Sequence, residues 1–144
     1  MNFRIANSKE DIQFCRDVIL ALRPNLREED YADRVLEMIA EDHFQLVFIP
    51  NEDNTSASAF AGYRIQQLLR TGKMIYIDDL YTAPGCRARG YAGALLDYIA
   101  HEAEAKGIRS IHLDSGYLLH TAHRLYLNKG YILACNHFTK QVGS

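Results

Sequence analysis

The sequence predicts a mixed α/β fold (an α+β mixed sheet) in which a mostly antiparallel sheet carries helices on both faces. The apolar segments 44–49, 58–69 and 74–82 follow one another with only turns between them, as antiparallel neighbours do. Later strand-like segments alternate with helix-like ones, which is typical of parallel crossovers. The predicted order of elements is β-α-α-β-β-β-α-β-α-β-β.

The N-terminal third is predicted to contain a short strand over residues 2–6 and then two helices. Ser8 is the expected N-cap of the first helix, because acidic residues follow it and apolar residues recur at helical spacing until Pro24. The second helix is predicted over residues 28–42, with one apolar and one acidic face. It leads into the buried strand 44–49.

The middle of the chain is predicted to form a hairpin from the strands 58–69 and 74–82. An amphipathic helix over residues 92–106 follows, and Gly107 ends it. The next strand is predicted over residues 110–114.

The C-terminal part is predicted to form a helix over residues 121–129, with Thr121 as N-cap, and two final strands over residues 131–135 and 137–142. No repeat or linker interrupts the 144 residues. We therefore expect a single domain, residues 1–144.

Composition argues against several classes of protein. The formal charge of −2 gives no general basic field for nucleic acid. Cys15, Cys86 and Cys135 have no metal-ligand spacing, and an odd, scattered set suits a reducing compartment. No apolar run reaches the roughly 18 residues that a membrane span needs, and the N-terminus lacks the apolar core of a signal peptide. We expect a cytoplasmic protein without a metal, a membrane anchor or a nucleic-acid partner.

The turn between the strand 74–82 and the following helix has the composition of an anion cradle. A helix N-terminus exposes unpaired N–H groups, small residues let an anion approach them, and arginines add charge. A surface turn with two solvated arginines is the alternative interpretation. The candidate anion-binding residues are Arg87, Ala88, Arg89, Gly90, Tyr91 and Ala92.

The spacing Arg87-x-x-Gly90-x-Ala92 resembles the Arg/Gln-x-x-Gly-x-Gly/Ala signature of the GNAT N-acetyltransferases. The resemblance implies that this turn holds the pyrophosphate of acetyl-CoA as co-substrate. It also implies a sheet splayed between the strands 74–82 and 110–114, with the pantetheine arm in the gap. Backbone N–H groups at Leu80, Tyr81 and Thr82 would then polarise the thioester, although a plain core strand has the same sequence.

Asp78 and Asp79 resemble acidic positions at which several GNAT enzymes place the general base. Neighbouring strand residues face opposite sides, so only one of the two should face the cleft unless a bulge intervenes. Capping of a helix or pairing with an arginine is the structural alternative for either carboxylate. Tyr76 and bound water remain alternative proton acceptors.

The segment 122–131 resembles the family motif Ala-x-x-Leu/Phe-Tyr-x-x-x-Gly-Phe/Tyr. The resemblance makes Tyr126 the general acid that protonates the leaving thiolate, whereas a packed core tyrosine is the alternative. Leu119 stands where many relatives carry an asparagine that contacts the cofactor arm. Ser115, together with its neighbours Asp114 and Gly116, is a candidate to line this opening instead.

These features together predict an N-acetyltransferase that moves an acetyl group from acetyl-CoA to a primary amine by direct attack in a ternary complex. A protein or peptide N-acetyltransferase and a non-catalytic acyl-CoA-binding module are the alternatives. Acids on the second helix, among them Glu29, Asp30 and Asp33, raise the hypothesis of a cationic small-molecule or peptide acceptor, although such runs are usually solvated faces. The long hairpin could form a homodimer interface, by analogy with the family.

Overall fold

The computed structural model describes residues 1–143 and has a mixed α/β architecture, as the sequence predicts. The chain divides into two compact units, Met1–Leu113 and a second unit that begins at Asp114. A 3₁₀ turn spans Pro84–Cys86. The helices and strands are β1 Arg4–Ile5, α1 Lys9–Phe14, α2 Arg16–Leu22, α3 Tyr31–Glu41, β2 Phe44–Pro50, β3 Ala57–Leu68, β4 Gly72–Thr82, α4 Tyr91–Ala105, β5 Ile111–Leu113 and α5 His120–Asn128.

The first unit contains a five-stranded sheet whose spatial order is β1-β2-β3-β4-β5. The first three pairings are antiparallel, and β4 and β5 are parallel. The β4–β5 ladder covers only Ile75–Ile77 opposite Ile111–Leu113. Within the described residues, β4 then runs on to Thr82 with β3 as its only ladder partner. The parallel ladder therefore ends well before the end of β4.

Both faces of the sheet are covered. Phe44, Leu46 and Phe48 lie on one face of β2 and belong to the core cluster formed with α1, α2 and α3. Val47 and Ile49 alternate with them, so they point to the other face, and they are buried as well. Helix α4 packs against β2, β3 and β4. Burial on both faces explains why β2 reads as a continuous apolar run.

The N-cap at Ser8 is confirmed, because its hydroxyl accepts a hydrogen bond of 3.2 Å from the Asp11 N–H. The single helix expected between Ser8 and Pro24 is instead divided at Cys15, which lies between α1 and α2. Helix α3 begins at Tyr31, three residues later than predicted. The segment between α2 and α3 contains turns at residues 24–25 and 28–30.

The prediction of two final strands is wrong, because residues 131–143 contain no strand. Ile132, Leu133 and Phe138 are 80%, 92% and 91% exposed. Alternating apolar residues favour extended backbone, but a strand also needs a neighbouring strand, and this segment has none among the described residues. Thr121 is not an N-cap either, because α5 begins one residue earlier and Leu119 takes the cap position.

No helix in the described part of the chain has both the length and the apolar character needed to cross a bilayer.

Candidate active site

A β-bulge in β4 sets the direction of the two candidate aspartates. In the β3–β4 ladder Gly62 pairs with Asp79 and Tyr63 pairs with Ile77, so Asp78 is the extra residue. The bulge interrupts the alternation of the strand, and both carboxylates therefore line the same cavity. Strand alternation alone would have let only one of the two aspartates face the cavity. The bulge lets both do so.

This cavity has a volume of about 400 Å³ and lies entirely within the first unit. Helices α2 and α3, the loop between them and the strands β2, β3 and β4 enclose it. Its size is within the range of pockets that hold small molecules. The apolar part of its lining is formed by Ile19, Leu26, Val35, Met38, Phe44, Leu46 and Phe60.

Asp78 is fully engaged by one arginine. Arg64 donates from Nε to Oδ1 over 3.0 Å and from Nη2 to Oδ2 over 2.5 Å, which is the bidentate geometry of a strong ion pair. The Arg64 guanidinium also lies 5.4 Å from the centre of the Phe44 ring. Both oxygens of Asp78 are thus occupied, as the structural alternative predicted.

Asp79 is engaged through only one oxygen. Arg23 donates from Nε to Oδ1 over 2.7 Å and from Nη2 to the same oxygen. No described residue donates a hydrogen bond to Oδ2. Burial raises the pKa of the Asp79 carboxyl above its usual value, while the hydrogen bond and charge of Arg23 act in the opposite direction. A carboxylate with a free oxygen and a raised pKa has the properties of a proton acceptor.

Gly62 leaves the space that this arrangement needs. A Cβ atom at this position would lie 2.5 Å from Phe44 Cζ and 3.5 Å from Asp79 Oδ2. The Phe44 ring is 3% exposed and lines the cavity. The absence of a side chain at residue 62 therefore lets the Phe44 ring and the Asp79 carboxylate both lie close to this position.

The turn before α4 has the geometry of an anion site. Gly90 is the N-cap with φ of 80°, and Ala88 has φ of 64°, so two left-handed residues shape the entry to the helix. No side chain caps α4, and its first turn carries no acid. The N–H groups of that turn have no intrahelical partner, so they remain available to a ligand. These residues fit a pyrophosphate.

Arg87 connects this turn to the end of β4. Its Nε donates to the Thr82 carbonyl over 3.2 Å, and its guanidinium lies 5.6 Å from the centre of the Tyr81 ring. Leu80, Tyr81 and Thr82 are part of β4 beyond the last residue paired with β5. The structure thus brings the candidate backbone donors and the candidate anion turn together in the first unit.

In the second unit, Tyr126 lies on α5, and its ring centre is 5.9 Å from that of Tyr131. Burial raises the pKa of the Tyr126 phenol, so the hydroxyl keeps its proton at neutral pH. The Ser115 hydroxyl is buried and has no hydrogen-bond partner among the described residues. His123 Nε2 lies 2.7 Å from the Gly116 carbonyl and ties α5 to the loop before it.

The acids that suggested a cationic acceptor lie outside the cavity lining. Arg27 lies 3.6 Å from Glu29 and 3.1 Å from Asp30, and Lys9 lies 3.2 Å from Asp33. These carboxylates are surface ion-pair partners, which is the solvated-face alternative. Within residues 1–143 no group of three His, Cys, Asp or Glu side chains has metal-binding geometry.

Four residues of this site were not predicted from the sequence: the lining arginines Arg23 and Arg34, the Asp78 partner Arg64, and Gly62. Arg23 is 56 residues from Asp79 and Arg64 is 14 residues from Asp78, so no local pattern links them. The glycine within the strand 58–69 was the one available signal, because such a glycine often marks a bulge or a close approach.

Comparisons with known proteins identify the class to which this chain belongs. The sequence profile of the acetyltransferase (GNAT) family matches residues 12–131. The chain belongs to the GNAT acetyltransferase family. Over 136 residues, 94% of each chain, it is 30% identical to YhdJ, an uncharacterized N-acetyltransferase of Bacillus subtilis (strain 168).

Solved structures of low sequence identity share the fold. A ribosomal-protein-alanine N-acetyltransferase from Brucella melitensis biovar Abortus 2308 superposes with a TM-score of 0.82 at 16% identity, covering 99% of this chain and 100% of that one. The aminoglycoside N-acetyltransferase AAC(6')-Iy in complex with CoA gives a TM-score of 0.78 at 16% identity, with coverage of 99% and 100%.

Proposed function

We propose that this protein is an acetyl-CoA-dependent N-acetyltransferase that acetylates a primary amine by direct attack in a ternary complex. The observation that carries the proposal is the uncapped N-terminus of α4, flanked by Arg87 and Arg89, in a chain of the GNAT family. The family match runs from residue 12 to residue 131, across the boundary between the two units. That extent supports treating residues 1–144 as one domain.

The cytoplasm is the proposed location, because the three free cysteines of the protein suit a reducing compartment.

The co-substrate supplies an acetyl group activated as a thioester. The pyrophosphate would lie on the N–H groups of the first turn of α4, with the two arginines adding charge. At Leu80, Tyr81 and Thr82, the edge of β4 opposite β3 has no ladder partner among the described residues. This open edge supports the assignment of backbone donors to the arm and the thioester carbonyl. Ser115 is assigned a contact with the arm, because its buried hydroxyl has no partner among the described residues.

Asp79 is the stronger candidate for the general base. An alkyl amine with a pKa near 10.4 is about 99.9% protonated at pH 7, so a proton must leave before attack. Asp79 has one oxygen that no described residue binds, whereas both oxygens of Asp78 accept hydrogen bonds from Arg64. We assign Asp78 to positioning Arg64 and the bulge, and Asp79 to accepting the proton.

Tyr126 is assigned to the protonation of the thiolate by its match to the family motif. The amine nitrogen forms a bond to the carbonyl carbon, the carbon–sulfur bond breaks, and the phenol proton passes to sulfur. The new amide nitrogen then loses its extra proton, which restores the phenol through solvent. The raised pKa of this tyrosine supports a role as donor, because the phenol stays protonated at neutral pH.

A panel of primary amines and N-terminal peptides, assayed with acetyl-CoA for thiol release and product mass, tests the proposal. We expect turnover of a small amine, with kcat reduced about 100-fold or more by Asp79→Asn or Tyr126→Phe, the size of a general acid–base contribution. Asp53→Asn, at an exposed turn outside the cavity lining, is the control and should leave kcat unchanged. Turnover of peptides alone would select the peptide N-acetyltransferase, and acetyl-CoA binding without any turnover would select the binding module.

A further inference from the structure

Four charged side chains line the cavity, two positive and two negative: Arg23, Arg34, Asp78 and Asp79. They do not all pair with one another, because Arg64, which lies outside the lining, takes one of the two aspartates. Asp78 is matched by Arg64 and Asp79 by Arg23. Arg34 is the remaining charge, and within the described residues no carboxylate lies within ion-pair distance of it.

The acids nearest to Arg34 along α3 do not neutralise it. Asp30, one turn earlier, pairs with Arg27 at 3.1 Å, and Asp33 pairs with Lys9 at 3.2 Å. Glu37, three residues later, is exposed and forms no ion pair with Arg34 in the described structure. Arg34 is itself exposed to solvent, and it gives the cavity wall one guanidinium with no protein counter-ion among the described residues.

We infer that the acceptor is a primary amine that also carries an anionic group, a carboxylate or a phosphate, and that Arg34 binds this group. The inference rests on the proposed acetyl transfer and names the substrate class of the same cavity. The planar fork of a guanidinium matches both anions, and Asn25 and Tyr31 add polar groups to the same wall. The amine end of the acceptor would face Asp79.

The same charge argues against a polyamine. A second ammonium group inside the cavity would meet an unpaired guanidinium, while both carboxylates are already paired with arginines. Arg34 thus favours acceptors with one amine and one anion over acceptors with several amines. An acceptor with one amine and one anion is thus an alternative to the cationic acceptor that the acidic helix suggested.

Matched amines test the inference in steady-state assays of the full-length protein with acetyl-CoA. The first set contains L-amino acids, their C-terminal amides and the corresponding decarboxylated amines, and the second compares O-phosphoethanolamine with ethanolamine. For wild type we expect kcat/KM about 10- to 100-fold higher for the anionic member of at least one set, the usual size of a charge-assisted contact. The set that shows the preference distinguishes carboxylate from phosphate.

The variant Arg34→Gln should remove this preference mainly through KM, while turnover of the uncharged partner stays within about twofold of wild type. Arg70→Gln removes an exposed arginine outside the cavity lining and should leave the preference intact. Turnover of amines without an anion preference, or equal losses in Arg34→Gln for both members, would overturn this inference alone. Failure to acetylate any amine would instead overturn the proposed function, and this inference with it.

Discussion

Two adjacent carboxylates in the cavity differ in how arginines hold them. Asp78 shares two hydrogen bonds with Arg64 in a fork, and both side chains are 19% exposed. Asp79 receives both of its hydrogen bonds at one oxygen from Arg23, which is itself 47% exposed. The arrangement at Asp79 leaves its second oxygen able to accept a proton. The hydrogen bond and charge of Arg23 lower the pKa of this carboxyl.

Replacing Arg23 with Gln should move the acid limb of the kcat/KM pH profile toward higher pH. Burial raises the pKa of Asp79, and Arg23 is the main group that lowers it, so its loss lets the carboxyl hold its proton to higher pH. The carboxyl can act as a base only when it is ionised, so a higher pKa of Asp79 moves the acid limb to higher pH. Arg16→Gln, which breaks surface pairs with Asp17 and Glu28, is the control and should leave the limb unchanged. If the acid limb of Arg23→Gln coincides with that of wild type, Asp79 is not the group that accepts the proton.

At the scale of elements, the bulge in β4 and Gly62 on the neighbouring strand β3 together determine the shape of the cavity. The extra residue at Asp78 turns two consecutive carboxylates to one cavity, and Gly62 makes room for the Phe44 ring beside Asp79. The position of the cavity therefore depends on register between β3 and β4 and on the packing of β2.

Gly62→Ala should destabilise the protein by about 1–3 kcal/mol, the usual cost of overpacking a core. The added methyl group would lie 2.5 Å from Phe44 Cζ, and the buried ring has little room to move. Urea unfolding measures the change. Gly85→Ala is the matched control, because a Cβ there meets no atom within 4 Å. A Gly62→Ala variant as stable as the control would show that the Phe44 ring moves aside freely.

Elements with a strong local pattern were predictable from the sequence. The ends of β3, β4 and α4 lie within two residues of the predicted ones, because apolar periodicity and the flanking turns define them. The division of the first helix into α1 and α2 at Cys15 was not predictable, since the apolar spacing continues through this residue. The bulge at Asp78 depends on the register with a partner strand, and the Arg23–Asp79 pair joins residues 56 apart. Such features arise only when distant segments meet.

Across the whole molecule, the three cysteines occupy three different environments. Cys15 is fully buried at the division between α1 and α2, Cys86 is partly exposed near the candidate pyrophosphate turn, and Cys135 is exposed in the C-terminal segment. Burial, followed by the charge of Asp11, raises the pKa of the Cys15 thiol to about 12. The thiolate is the reactive form, so these thiols should differ widely in rate.

An exposed-thiol reagent such as Ellman's reagent should therefore react with two thiols of the native protein and reach the third only after unfolding. A Cys86→Ser/Cys135→Ser variant, altered only at partly or fully exposed positions, should show no fast thiol. Three fast thiols in wild type, or one in that variant, would mean that the core around Cys15 opens readily.

The central claim is that the first turn of α4 and its arginines bind acetyl-CoA. Calorimetric titration of the purified protein with acetyl-CoA tests it most directly, because it needs no knowledge of the acceptor. We predict micromolar binding that weakens at least about tenfold in Arg87→Ala/Arg89→Ala, the cost of losing a charge-assisted contact. Arg16→Ala/Arg70→Ala removes the same charge elsewhere and should bind like wild type. A folded wild-type protein that does not bind acetyl-CoA would contradict the account.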